Sequence, residues 1–420
     1  MMKLNTYTKS NELFRRALKV VPAGIYGHIG PAEGCAIPTS AFPLFMDHAK
    51  GSHFWDVDGN EFIDYMCAYG PNILGYNDPD VDAAAIAQAK KVNCASVAPE
   101  LLVDFAELMV NTVDMADWAF FAKNGNDATQ FATMIAKEKT HRSKLVLVNG
   151  FYHGVSPWCQ NYGYSGVTDE DLVNNFYVDW NKPEQFERIV KEHPGEIAAF
   201  ISTPYYHPAM GDSELPAEGY WLKIRKICDE NGIVLIFDDV RCGFRLDIAG
   251  SDKHFGIKAD LECFCKAIAN GWNVSAICGT SEMKGAAENI MFTGSYWLSA
   301  IPFAAGIACI NKMKENNTAA SIKAKGIKLQ TGLQDVAKSN GFKLKVSGEP
   351  AMWFMRLEND YPSAIMHQEW VAECVKRGIF FTSHHNCFIN DAITEEDIKQ
   401  TLDVADEAYK VVKSMHPDFQ

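Results

Sequence analysis

Residues 234–245 read VLIFDDVRCGFR, an apolar run that ends abruptly in two carboxylates, Asp238 and Asp239. The run is continuous rather than alternating, as expected for a strand buried on both faces. Such strands belong to parallel sheets with helices on either side. Working outward, KLVLV (144–148) and AAFIS (198–202) repeat the pattern, and VSAICG (274–279) is a fourth strand candidate. Helical stretches lie between them, DATQFATMIAKEK (127–139) and GYWLKIRKICDENG (219–232). This alternation from about residue 80 to 280 predicts an α/β domain built on a large, mostly parallel sheet.

The chain ends read differently. SNELFRRALKV (10–20) is a short amphipathic helix stopped before Pro22, and SHFWDVDGNEFIDY (52–65) is a hairpin turning at Asp58-Gly59. Beyond residue 325 come short strand candidates, LKVSG (344–348), AMWFMRL (351–357) and GIFFT (378–382). A helix then starts at Thr394, where Thr-x-x-Asp suits an N-terminus. The expected organisation is 1–75 joining a small domain, 76–325 as the large α/β domain, and 326–420 as a C-terminal α+β domain.

Bulk composition narrows the function. The 420 residues are 47% hydrophobic and 22% charged, with a net charge of -14. An acidic chain does not suit nucleic acid, whose phosphates need a basic face. No apolar run reaches membrane-spanning length, and MMKLNTYTKSNELFRRALK lacks the hydrophobic core of a signal peptide. The 12 cysteines are scattered, Cys263 and Cys265 being the closest pair, so no metal site or disulfide framework is expected. A reduced, cytoplasmic setting is the simplest expectation.

Ligands of open parallel sheets sit beyond the carboxyl ends of the strands. Four features fall at such places. Asp238 and Asp239 end one strand; the bland alternative is an ordinary turn cap. In DLECFCKAIANGW (260–272), Lys266 follows an apolar stretch, although a single lysine is usually a solvated surface group. AKNGNDATQ (122–130) opens a helix whose first amides can hold a phosphate, as many helix starts could. NGFYHG (149–154) places Tyr152 and His153 past the KLVLV strand, where an aromatic either stacks on a ring or caps the core.

In order and spacing, Asn124-Gly125-Asn126-Asp127, Tyr152-His153-Gly154, Asp238-Asp239-Val240 and Lys266 together resemble the class III aminotransferases of pyridoxal-phosphate fold type I. That family's motifs read approximately SGSEA, YHG, FDEV-x-TGFR and a lysine after DL. VPAG (21–24), FWDVDGNEFIDY (54–65), YGPNILGY (69–76) and TEEDI (394–398) are similar to one branch, the glutamate-1-semialdehyde aminomutases. The resemblance implies pyridoxal 5'-phosphate as cofactor. Lys266 is then the lysine that bonds its aldehyde and later moves protons, while Asp238 faces the ring nitrogen. Val240 and Tyr152 pack on the two ring faces, His153 adjoins the cofactor, and Gly125 and Asn126 hold the phosphate, the latter also through its side chain. The family completes the phosphate site from a second subunit. Here FTGSYWLSAIP (292–302) is the matching stretch, so Ser295 is the expected ligand and a homodimer with shared sites the expected assembly.

Departures from the pattern bear on substrate. Asn124, Asp127, Asp239, Cys242 and Thr203 replace common family residues. The aminomutases carry a carboxylate-gripping arginine after the VPGG-like turn, whereas GIYGHIGPAEG (24–34) has none. Neutral groups are on offer instead, His28, Tyr205, His384 and Asn386 among them; the bland alternative is that half or more are surface or supporting residues. The resulting expectation is amino transfer from an amino acid, glutamate by family habit, to a carbohydrate-derived aldehyde or ketone. An octulosonate sugar acid of lipopolysaccharide is the narrowest version. Glutamate-1-semialdehyde 2,1-aminomutase activity is the alternative, and a silent cofactor-binding module is disfavoured by Asp238 and Lys266 together.

Overall fold

A computed structural model of the chain describes residues 4–25 and 37–417. The chain divides into two compact units: Met1–Asp78, Ala209–Ser213 and Ala320–Gln420 form one, Pro79–Pro208 and Glu214–Ala319 the other.

The first unit carries β1 (Met46–Lys50), β2 (His53–Asp56) and β3 (Glu61–Asp64), where the Asp58-Gly59 turn joins β2 to β3. The second carries β4 (Trp118–Ala122), β5 (Lys144–Val148), β6 (Asn175–Val178), β7 (Ile197–Ser202), β8 (Val234–Asp238), β9 (Leu261–Phe264) and β10 (Ser275–Gly279). The first unit resumes with β11 (Leu344–Glu349), β12 (Met352–Leu357), β13 (Ile379–Phe380) and β14 (Cys387–Phe388). Its sheets order as β1-β2-β3-β13 and β11-β12-β14. Asp397, in the first turn of the Glu395–Met415 helix, accepts from Ser52 Oγ and the Thr394 amide and meets His53 Nε2 at 2.9 Å, which fastens β2 to that helix.

In the second unit the sheet runs β4-β10-β9-β8-β7-β5-β6. The five strands from β9 to β6 are parallel, whereas β10 lies antiparallel to both β9 and β4. Sequence pattern does not reveal that reversal, because a strand covered on both faces is apolar in either direction. The Gly125–Thr140 helix crosses the sheet on small residues. Ala128, Ala132, Ile135 and Ala136 share one helical face and pack with Leu145, Ile201, Ile236 and Ile277. The alanines bring helix and sheet close, and each buried large aliphatic contributes roughly 1.5–3 kcal/mol. This contact fixes the helix start beside the ends of β8 and β9, where the site lies.

Candidate active site

The strand ends and the Gly125–Thr140 helix start surround a cavity of about 420 Å³ lined by residues of the second unit. Asn124 caps that helix with extended φ/ψ of -120° and 162°. Its amide donates to Asp127 Oδ2 at 2.8 Å, as the Lys123 amide does at 3.2 Å, closing a capping box. The first intrahelical donors are Asp127 and Ala128, which both bond the Asn124 carbonyl. The preceding amides, Gly125 and Asn126, have no intrahelical acceptor, as at any helix N-terminus, a setting suited to an anion. Both cradle glycines are sterically required: a Cβ on Gly125 would stand 2.7 Å from Val240 Cγ1, and one on Gly154 2.4 Å from Asn126 Oδ1. The Asn126 side chain also holds the loop after β5, its Oδ1 accepting the amides of Val155 and Ser156, both at 2.8 Å.

Asp238 ends β8 almost fully buried. Its Oδ2 lies 2.7 Å from His153 Nδ1, and its Oδ1 accepts the Val240 amide at 3.2 Å. His153 is itself fixed, since its carbonyl accepts from Thr129 Oγ1 at 2.6 Å. The histidine therefore acts through Asp238, orienting a carboxylate that faces the cavity. Val240 and Tyr152 also line the space, Tyr152 about half exposed. Lys266 follows β9 by one residue, at a left-handed φ of 43°. A non-glycine residue held there stores on the order of 1–3 kcal/mol, tolerated where the surroundings impose it. Desolvation, and then the charge of Arg241, pulls its amine down to about 8.

Arg241 is the residue that sequence reasoning passed over. It lines the cavity beside Lys266 and Asp238, with Nη1 3.0 Å from His207 Nδ1 and 3.1 Å from the His207 carbonyl oxygen. The available signal was a charged side chain three residues past the buried end of β8, where charge is rarely found without a task.

The other expected site residues fall elsewhere. His28 lies outside the described residues. Tyr205 is fully buried outside the cavity lining, its carbonyl accepting from Thr203 Oγ1 and its ring edge-on to His207 at 5.1 Å. His384 and Asn386 are buried in the other unit, where Asn386 Nδ2 donates to Ser213 Oγ at 3.2 Å. Ser295 is exposed and outside the cavity lining, and its carbonyl accepts from Cys94 Sγ.

Behind the site, Asp239 turns away from the cavity and accepts from the Ser251 amide and hydroxyl. Glu262 and Asp252 share this buried region, and a Cβ on Gly250 would touch both. Burial, then the charges of Asp252 and Asp239, pushes Glu262 well above the carboxylate range. A carboxyl whose folded pKa is raised is most favourable below its unfolded value near 4.3, and it costs stability as pH rises from there. Glu262→Gln should therefore unfold at higher temperature than wild type at pH 8–9, with the gap closing toward pH 5. Calorimetric melting across that range checks it, and a gap that widens toward pH 5 contradicts a protonated Glu262.

Comparison with known proteins gives the class. The family model of the class III aminotransferases matches residues 36–408, so the chain belongs to that family. An aminopentol aminotransferase of Sphingopyxis macrogoltabida is 38% identical over 405 residues, covering 96% of this chain and 94% of that protein. A glutamate-1-semialdehyde 2,1-aminomutase of Lachnoclostridium phytofermentans is 30% identical, covering 95% and 98%. Among solved structures, the PLP-bound FumI protein of Sphingopyxis sp. MTA144 superposes with a TM-score of 0.93 at 37% identity, over 98% of both chains. The protein is a pyridoxal 5'-phosphate-dependent enzyme of fold type I with class III aminotransferase activity. The cavity fits that cofactor: helix-start amides for its phosphate, a buried carboxylate for its ring nitrogen and an amine with its pKa lowered to about 8 for its aldehyde.

Proposed function

We propose that this chain transfers an amino group between an amino acid and a hydroxyl-rich carbonyl compound, with aminomutase activity as the alternative. Bound pyridoxal phosphate supplies an aldehyde to take up the donor's amine and a protonated ring to withdraw electrons from the reacting carbon. Asp238 would keep the ring nitrogen protonated, with His153 keeping Asp238 aimed. The Lys266 amine, its pKa pulled down to about 8, would take the proton from the substrate carbon and return it two bonds away, at the carbon that had been the cofactor's aldehyde. Val240, braced against Gly125, would pack on the ring, and the helix-start amides would hold the phosphate.

The observation that carries the substrate class is the cavity wall itself, which Thr203, Tyr152 and His207 line with neutral hydroxyl and imidazole groups. The name of the aminopentol aminotransferase, an enzyme acting on an amine of many hydroxyls, supports the same class. The narrower octulosonate acceptor rests on those neutral groups alone. The absence of arginine from residues 24–34 no longer argues that the pocket lacks a cation, because Arg241 provides one. The exposed Ser295, outside its own cavity lining, fits the further proposal of a homodimer in which it serves the partner's phosphate.

The test is a panel of acceptors after loading the enzyme with amine from alanine or glutamate, followed by visible spectroscopy. Polyhydroxylated aldehydes or ketones should discharge the amine, whereas glutamate-1-semialdehyde should yield little 5-aminolevulinate. Efficient 5-aminolevulinate formation makes the aminomutase reading the correct one.

A further inference from the structure

The turn that follows β8 carries three groups to the cavity lining, Asp238, Val240 and Arg241. Asp239 holds that turn from behind. Its carboxylate accepts the Ser251 hydroxyl and amide, and its carbonyl accepts the Gly243 amide at 2.8 Å. A Cβ on Gly243 would stand 2.7 Å from the same carbonyl oxygen, so the turn is tight and shifts as one piece.

A second carboxyl stands behind the first. In the strand register, Glu262 of β9 lies opposite Phe237 of β8 and Cys278 of β10. Side chains alternate between sheet faces, so Glu262 takes the face of Asp239 and not that of Asp238. Both carboxyls are fully buried and within hydrogen-bonding reach of each other. Asp252, on the Ser251–His254 helix, is a third: a Cβ on Gly250 would stand 2.8 Å from Glu262 Oε2 and 3.0 Å from Asp252 Oδ1. The thiols of Cys242, Cys263 and Cys278 also face these carboxyls, while Asp114 and Lys258 act on Asp252. Arg245 is buried on the same turn, yet it is not among the charges that act most on Asp239 or Glu262.

Two ionised carboxylates cannot bond each other, because neither has a proton to donate. No well-formed hydrogen bond from a described residue reaches either Glu262 oxygen; the Asp252 amide approaches without the geometry of one. An ionised Glu262 would lie bare in a dry region beside like charges, which is costly. Asp239 has the two Ser251 donors to support its charge, so the shared proton belongs on Glu262.

We propose that Glu262 carries a proton, hydrogen-bonds Asp239 with it, and thereby positions the turn that presents Asp238, Val240 and Arg241 to the cofactor. Glu262 is a positioning residue that touches neither cofactor nor substrate. Loss of its proton sets two negative charges against each other behind the turn, which displaces Asp238 and slows the reaction at alkaline pH. None of this depends on which acceptor the enzyme uses.

The experiment uses holoenzyme and two variants. Glu262→Gln keeps a donor in the same place and cannot lose it, whereas Glu262→Met keeps the chain length without a donor. Infrared difference spectra of wild type against Glu262→Gln at pH 8 should show the band of a protonated carboxyl in wild type alone. The half-reaction with alanine or glutamate should slow at alkaline pH in wild type, and Glu262→Gln should hold its neutral rate to higher pH. Titration of Lys266 is common to both proteins, so the difference between the profiles belongs to Glu262. Glu262→Met should lose up to about 100-fold in maximal rate with apparent binding little changed. Its bound cofactor should also absorb at a shifted wavelength, since Asp238 no longer squarely faces the ring nitrogen. Absence of the carboxyl band, or coincident pH profiles for wild type and Glu262→Gln, overturns the proposal. A Glu262→Met protein that is merely less stable, with normal rate and absorbance, overturns it too. If Glu262→Met does not fold by circular dichroism, the infrared spectra and the Glu262→Gln profile decide. If neither amino acid serves as donor, that reading of the donor fails, while the infrared band and the cofactor's absorbance still judge Glu262.

Discussion

Lys266→Ala is expected to give a folded protein that takes up pyridoxal phosphate only reversibly and shows no measurable transamination. Loss of the group that moves the proton alone removes a factor of roughly 10²–10⁴, and loss of the covalent link adds to it. Wild-type protein reduced with borohydride should lose its colour and carry the label on a peptide containing Lys266; a label on another lysine refutes the assignment. The variant also separates chemistry from folding. Burial and Arg241 lower the folded pKa of this lysine to about 8, so its charged form is disfavoured in the native protein. A lysine with a lowered folded pKa costs stability below that value, and the cost disappears as pH rises through the unfolded value near 10.4. Cofactor-free Lys266→Ala should therefore melt no earlier than cofactor-free wild type at pH 7. The same shift predicts that capture of the cofactor by wild-type apoprotein quickens as pH rises through about 8, because only the neutral amine attacks.

How far the site was legible follows from what each residue depends on. β5 coincides with the KLVLV run, and β7 and β8 start or end within two residues of theirs, because double-sided burial writes itself as uninterrupted apolar sequence. The helix start at Gly125 and the cap at Thr394 were equally readable, since capping chemistry is local. Lys266, Asp238 and Gly125 were reached only by their joint order, each being ambiguous alone. What escaped depends on partners distant in sequence. Tyr205 and Tyr206 look alike in the chain, yet Tyr205 is fully buried and Tyr206 is not, because β7 ends in a turn whose direction no local pattern fixes. Residues Ala209–Ser213 pack with the first unit, although their composition does not distinguish them from the loop around them. The Arg241–His207 clamp joins loops 34 residues apart. The Asn126 Oδ1 contacts were not legible either, since side-chain acceptors depend on how the Val155 loop returns.

Asp238→Asn is expected to retain the cofactor while losing a factor of roughly 10²–10³ in both half-reactions. The carboxylate is almost fully buried and oriented by two contacts, the Val240 amide at 3.2 Å and His153 Nδ1 at 2.7 Å. A preorganised charge in such a place acts at full strength, because no water has to reorganise around it. The amide that replaces it keeps the shape but cannot hold a proton on the ring nitrogen. Its Nδ2 would also confront a histidine nitrogen that donates to a carboxylate, so the His153 tautomer or rotamer must change. His153→Gln provides the contrast. It removes the orienting ring but leaves the negative charge, so its loss should be smaller than that of Asp238→Asn. It should appear mainly in kcat, with cofactor affinity nearly preserved. Stopped-flow half-reactions with alanine, read at the cofactor's visible absorbance, measure both variants directly. If Asp238→Asn turns over like wild type, the ring nitrogen has another partner. If His153→Gln is the more damaged of the two, the imidazole itself rather than the carboxylate it positions is the group that meets the cofactor.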